Sequence, residues 1–399
     1  MMGCVPAHRY PRLLALVIGL VVATACSSGS GDKTAGSVAS SSSTAPATTS
    51  STVAPTTCPQ VRPASEPAAP ANLADLQMVS PTKGFAAGKG TILGTDDGRT
   101  WTPRFTGAAA FSSINAVSAV HAWAVGDRAL YRTTDGGKSW RGAGNPDDGT
   151  VLRQVHFIDE HFGWGAGRNG KLYRSGDGGS TWGELTAPCG AEAVCFTAQD
   201  DGWVAVGNRV ARSTNGGDSW TPVFTLSAKG PGGEPVGDSF HIDRLQCAKG
   251  GVVWASFTGE DAAMSHSPYV VFRGAADGQW TPVLKEAMTG PSDVTAPAGG
   301  SYPGPMSALG PDSAAFVLFT PPGEPPVSVA VATENGRRLG PARPVPGLAS
   351  PLAAAFLTAD AGWVLGTKTG GPPSADAILA TSDGGQTWQE QFARPSPTR

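Results

Sequence analysis

Short apolar runs, each built round one aromatic residue and flanked by small residues, recur along the chain from residue 84 onward. They read KGFAAG at Phe85, HAWAVG at Trp123, FGWGAG at Trp164, DGWVAVG at Trp203 and AGWVLG at Trp363. Two weaker copies are VVWAS at Trp254 and AAFVLF at Phe316. Runs this short between turn-forming residues predict β-strands, and no long amphipathic helical period interrupts them.

Most runs are followed by a polar box: GTDDGRTW (94–101), TTDGGKSW (133–140), SGDGGSTW (175–182), STNGGDSW (213–220) and TSDGGQTW (381–388), with eroded copies RGAADGQW at Trp280 and TENGRRLG near Gly340. The frame is Ser/Thr-x-Asp-Gly-Gly-x-Ser/Thr-Trp. The acid or amide bonds backbone N–H groups two residues on, and the glycines supply positive φ. The centre of the box is therefore a hairpin turn, and its Trp opens the returning strand. The structural positions predicted from the frame are Asp96, Trp101, Asp135, Trp140, Asp177, Trp182, Asn215, Trp220, Asp383 and Trp388. Both markers count seven units at a spacing of roughly 40 to 60 residues, the period of four-stranded propeller blades. The expected fold is an all-β, seven-bladed β-propeller over residues 58–399. Its closing strand is either absent or supplied by residues near Cys58.

Residues 1–25 start with Arg9 and Arg12 and continue into an apolar run, Leu13 to Val22, too short to span a bilayer. The run ends ATA-Cys26-SSGSG, which resembles the lipobox of bacterial lipoproteins and makes Cys26 the expected lipidation site. Ala23-Thr24-Ala25 also meets the A-x-A rule for release as a secreted protein. Residues 26–57 are Ser, Thr, Ala and Pro with almost no apolar bulk, a solvated tether with a coil span on the order of 30 Å. The expected location is the outer leaflet of the cytoplasmic membrane or the cell surface.

The formal charge is −3 and becomes −5 without residues 1–25, with no Lys/Arg cluster, which argues against nucleic acid binding. Four cysteines remain beyond Cys4 and Cys26: Cys58, Cys189, Cys195 and Cys247. An exported chain would pair them, and three pairings are open. The short loop between Cys189 and Cys195 mildly favours that bridge, which leaves Cys58 with Cys247. No zinc spacing occurs, so neither a metal nor another cofactor is expected.

The box resembles that of the Asp-box, or bacterial neuraminidase repeat, propellers. The combination of GWAVG-like strand and LYRTTDGGKSW is most similar to the photosystem II assembly/stability factors. That resemblance implies a non-enzymatic scaffold that holds a protein client through an arginine patch. Here Arg132, Arg174, Arg212 and Arg273 precede boxes and are the candidate patch, with bracing between blades as their structural alternative. A sialidase-like mechanism needs an arginine triad, a Tyr–Glu nucleophile pair and an Asp acid/base; the usual Arg-Ile-Pro element is missing, and other glycosidases need two facing carboxylates. Glu234, Asp238, Glu260 and Asp261 are the available acids.

From the fourth unit on, loops lengthen at Ser227–Ser239, Thr258–Pro268, Ala287–Pro305, Pro321–Val327 and Lys368–Ala377. All fall on the face opposite the boxes, so this sector is the expected ligand surface, with Glu260, Asp261, His266, Tyr269 and Tyr302 as its candidate side chains. The function read from the sequence is a monomeric, surface-tethered binding or assembly scaffold of the bacterial cell envelope. Its partner would be an envelope protein; a carbohydrate-binding or glycoside-hydrolysing propeller is the alternative.

Overall fold

The computed structural model describes residues 73–230, 232–233, 235–260, 266–320, 327–369 and 375–394. The signal segment, the tether, Cys26, Cys58, Glu234 and Asp261 lie outside the described residues. The rest is an all-β propeller of antiparallel sheets.

The strands assemble into six hydrogen-bonded sheets, which corrects the expected seven. The second sheet spans Leu152–Phe157 to Gly183–Leu185, the third Ala193–Phe196 to Thr221–Thr225 and the fourth Phe240–Ala248 to Trp280–Lys285. The fifth runs from Met306–Ala308 to Arg343–Pro344 and the sixth from Leu348–Phe356 to Gln389–Ala393. The physical reason for the lower count lies in the first sheet, which holds six strands from Leu73–Met78 to Arg141–Gly142. Its strand Thr102–Ala116 is continuous through Gly107, Ala108, Ala109 and Ala110. Its front half pairs with Gly84–Thr95 and its rear half with Ala122–Gly126. Small residues replace the link that separates other repeats, so the first two repeat units share one sheet.

The aromatic runs form the second strands, and their rings are the core. Trp123, Trp164, Trp203 and Trp254 are at most 1 % exposed. Trp123 stacks on Phe157 and Trp164 on Phe196, each at 3.7 Å between centroids. A buried indole N–H needs an acceptor. Trp123 donates to Gly178 O, Trp164 to Gly216 O, Trp254 to Gly310 O and Trp363 to Gly98 O, each in a turn of the next repeat. The run at residues 314–319 differs from the others. Ala314 pairs with Ala308 as Gly362 pairs with Phe356, so Ala315 and not Phe316 takes the place that Trp363 holds in its own sheet.

The first strands of the repeats touch one another in a closed ring. Their polar side chains bond the backbone of the next first strand. Gln77 does so with Ala116, Gln154 with Val194 and Gln246 with Met306 O and Ala308 N. Among the described residues no strand is exchanged at the seam between first and sixth sheets. Leu73, Leu76, Met78 and Trp101 pack there with Ala353, Trp363, Leu365 and Ile378. Leu73 N–H also donates to Asp376 Oδ2, 2.9 Å.

The cysteine pairing also differs from the favoured one. Cys195 bonds Cys247 (Cα–Cα 5.7 Å), joining the first strands of the third and fourth sheets, and Cys189 is itself disulfide-bonded. The pairing follows the side-by-side packing of two neighbouring first strands and not the ends of one loop.

Candidate functional site

The box turns use their polar atoms internally. In the second box Thr133 Oγ1 donates to Asp135 Oδ1 and accepts from Gly137 N, while Asp135 accepts from Ser139 N and Oγ. The same set recurs around Asp177 and Asp383, and around Asn215 except that its Nδ2 donates to Ser219 Oγ. Bonds from the Ser139 hydroxyl and N–H hold Asp135 down to about 2, and those from Thr387 hold Asp383 at about 2. In the first box Asp97, and not Asp96, occupies this position. Thr95 Oγ1 donates to Asp97, which accepts from Arg99 N and Thr100 N. Asp96 is instead ion-paired with Lys83 and Arg104. Trp101 and Trp182 are buried, whereas Trp140, Trp220 and Trp388 are partly exposed at the edges.

The arginine row is engaged between repeats. Arg132 donates to Glu160 O and Asp177 O and lies over Trp123. Arg174 reaches Gly216 O and Asp218, and Arg212 reaches Asp201 and Ala276 O. Arg273, 9 % exposed, donates to Pro311 O. These four side chains brace neighbouring repeats.

The lengthened loops behave differently, because three of them interlock. Ser292 N and Oγ donate to Lys229 O, Ser292 Oγ also to Gly230 O, and Asp293 Oδ1 accepts from Lys229 N. Those contacts join loop 227–239 to loop 287–305. Ser267 N donates to Ser301 O, which joins loop 258–268 to the same segment. The result is one connected platform over the third to fifth sheets.

At its base sits Glu286, 1 % exposed, a residue that sequence reading passed over. Its Oε2 accepts from Met288 N, Thr289 N, Thr289 Oγ1 and Gly290 N, and Oε1 faces His266 Nδ1 at 2.7 Å. Burial pushes this carboxyl up, but the Thr289, His266 and Met288 donors outweigh it and hold it below the ordinary glutamate value. A buried carboxylate costs several kcal/mol unless so surrounded. Glu286 thereby shapes the turn that exposes Met288, one of two large apolar side chains standing out in solvent among the described residues. The readable signal was an acid closing a strand before A-M-T-G.

Tyr269, 1 % exposed, stands beside this network with no hydrogen-bond partner for its hydroxyl. Burial and then the Glu286 charge push its phenol well above the ordinary value. Tyr302 is half-buried, its N–H on Phe319 O and its ring against Phe319. Glu260 is exposed. The structure therefore gathers His266 and Tyr269 round Glu286 and places Tyr302 on the neighbouring strand edge. A cleft beside Tyr269, lined by Ser256, Leu284, Pro303, Gly304 and Phe316, has a volume of about 10 Å³. That is room for about one water and too small for a sugar. Among the described residues no cluster of His, Cys, Asp or Glu could hold a metal ion.

No protein family model matches the chain, and no curated protein sequence does. Solved structures share its fold. YCF48 from Cyanidioschyzon merolae superposes with a TM-score of 0.50 at 16 % identity, covering 80 % of this chain and 98 % of that one. The GH74 xyloglucanase from Xanthomonas campestris gives 0.55 at 15 % identity, over 81 % of this chain and 55 % of that enzyme. The RRP9 WD40 repeats give 0.50 at 13 % identity, over 73 % and 86 %. These similarities establish a propeller, a fold that serves assembly factors and glycoside hydrolases alike.

Proposed function

We propose that the protein is a non-enzymatic binding or assembly scaffold, exported and held at the membrane through lipid on Cys26, which grips a protein client with the loop platform. The observation that carries this reading is the interlocking of the three insertions round Glu286. Drifting surface loops have no need of a buried carboxylate with five donors, whereas a preorganised contact surface does, because ordering is then completed before binding. The box carboxylates are engaged in their own turns, which weighs against their use in hydrolysis. YCF48, which shares the fold, is a photosystem II assembly factor, and holding a client is work that a rigid propeller face can do. A tether of about thirty residues would carry that face clear of the bilayer.

The test is in-cell crosslinking of the full chain followed by mass spectrometry, with and without replacement of Thr258–Pro268 by a short Gly-Asn turn. The expected result is one dominant envelope protein crosslinked through the platform. That crosslink should disappear in the loop variant while thermal stability stays within a few degrees. Unchanged crosslinks, or recovery of glycan alone, would overturn the protein-scaffold reading. Cys26→Ala is expected to move the protein from the membrane to the soluble fraction, and an unmoved protein would exclude the lipid anchor.

A further inference from the structure

The face that carries the platform holds a second feature, in the second sheet. The strand Leu152–Phe157 carries a β-bulge between Leu152 and Gln154, with Arg153 as the extra residue. Bulges turn a side chain out of the ladder. The other polar side chains of this strand have partners: Gln154 bonds Val194 N and O, and His156 bonds Phe196 O. Arg153 has neither a hydrogen bond nor an ion pair among the described residues, although it is half-buried and its Nη1 is shut off from solvent. Leaving a guanidinium N–H desolvated and unpaired is costly, and the cost is removed when an ordered water or a ligand supplies the acceptor.

Two charged groups face it. Glu192 is the nearby acid, yet it forms no ion pair with Arg153, and its Oε1 accepts from Gly207 N, 3.0 Å. Arg168 is the nearby base, exposed and anchored through its N–H to Val151 O. Burial pulls Arg153 below the ordinary arginine value, Glu192 opposes it, and Arg168 adds a smaller pull in the same direction as burial.

Further basic residues stand at the same end of the neighbouring repeats. Arg168 lies in the turn after a second strand, and Arg128 lies in the corresponding turn of the repeat before, paired with Asp127 at 3.8 Å. Lys89 lies within the strand Gly84–Thr95 and Arg209 begins the strand Arg209–Ser213; all four are exposed. Strand register puts these positions at the same end of the sheets, beside the start of each first strand. Four successive repeats therefore present one basic residue each at the end of the sheets where Arg153, partly desolvated, lacks an acceptor.

We propose that Arg153, with Arg168, forms a binding site for an oxyanion, a carboxylate or phosphate group, on the platform side of the propeller. The planar fork of a guanidinium matches two oxygens of such a group, and the second arginine supplies charge without competing for the same atoms. The anion is either free in solution or carried on an acidic polypeptide. The flanking Lys89, Arg128 and Arg209 would contribute only to the second.

Isothermal titration of the full chain with inorganic phosphate at fixed ionic strength tests the site. The expected result is a saturable isotherm in the wild type, weakened at least tenfold by Arg153→Met. Glu192→Gln keeps an acceptor for Gly207 N, removes the opposing charge and should tighten phosphate severalfold. It decides the matter if Arg153→Met fails to fold. A tetra-aspartate peptide is titrated alongside: tighter binding than phosphate identifies the polypeptide source, and equal or weaker binding identifies the free anion. No saturable binding of either probe, indifference to Arg153→Met in a folded variant, or indifference to Glu192→Gln would overturn the proposal.

Discussion

Single carboxylates in this protein differ in sign according to who faces them. Asp75 accepts from Leu76 N and Ile114 N, yet burial beside the ring of inner strands pushes its carboxyl up to about 6, with Arg244 only partly opposing. Its folded pKa lies above the unfolded value of about 3.9, so the folded state holds this proton the more tightly. The contribution favours folding below pH ~4 and is lost as pH rises through about 6. Discounted for its partial exposure, it is worth on the order of 1–2 kcal/mol. Asp75→Asn should flatten the fall in thermal midpoint between pH 4 and 7.5, and an unchanged slope would rule Asp75 out as its source. Asp135 has the opposite sign: with its folded value at about 2, its contribution is present above pH ~4 and is lost on further acidification. Asp135→Ala should therefore lower the midpoint at pH 7 and bring it closer to that of the wild type near pH 2, as thermal scans at both pH values would show. The residue scale also shows where sequence reading fails. The aligned frame of the first box selects Asp96, but Thr95, one residue beyond the framed Gly94, supplies the hydroxyl, so Asp97 makes the turn.

At the scale of elements, strands and box turns were legible because each combines a short apolar run with glycines and a hydroxyl–acid pair, all of which act locally. The sheet count was not, because it depends on whether Gly107 to Ala110 breaks the strand or lets it run on, and small residues permit either. The cysteine pairing was hidden for a related reason: Cys195 and Cys247 are neighbours only across two sheets. Cutting that bridge with Cys195→Ala and Cys247→Ala together should cost about 2–4 kcal/mol, read as a lower denaturant midpoint with a somewhat steeper slope, because the uncrosslinked unfolded chain is less compact. The platform was half legible. Loop lengths located it, but its buried Glu286 resembled any strand-end acid. Glu286→Ala leaves the N–H groups of Met288, Thr289 and Gly290 without their acceptor and should cost about 3–5 kcal/mol. Hydrogen exchange should accelerate first across 286–305. Uniform acceleration over the second sheet instead would mean that the turn is not an independent unit of the platform.

At the scale of the whole molecule, the described residues close the ring through side chains and not through a shared strand. The expected closing strand is absent or comes from near Cys58, a segment that lies outside the described residues. Among the described residues the seam rests on buried contacts between Leu73, Leu76 or Met78 and Ala353, Leu365 or Ile378. Two indoles add polar ties: Trp363 donates to Gly98 O and Gln391 Oε1, and Trp101 to Gln391 Oε1. The other junctions have the same kind of packing, but among the described residues the seam is the junction that no chain segment crosses. A cavity there can therefore relax by letting the ends part, whereas one made elsewhere is held by the chain on both sides. Leu76→Ala at the seam, where Leu76 is 3 % exposed, should cost about 2–5 kcal/mol, and so should Leu152→Ala within the ring. The two are expected to differ in the pattern of hydrogen exchange. Leu76→Ala should raise exchange together in Leu73–Met78 and in the sixth sheet, while Leu152→Ala should raise it only round the second. Equal, local patterns in both variants would mean that the closed ring holds its ends as firmly as its links, and that the seam is not the point from which the propeller opens.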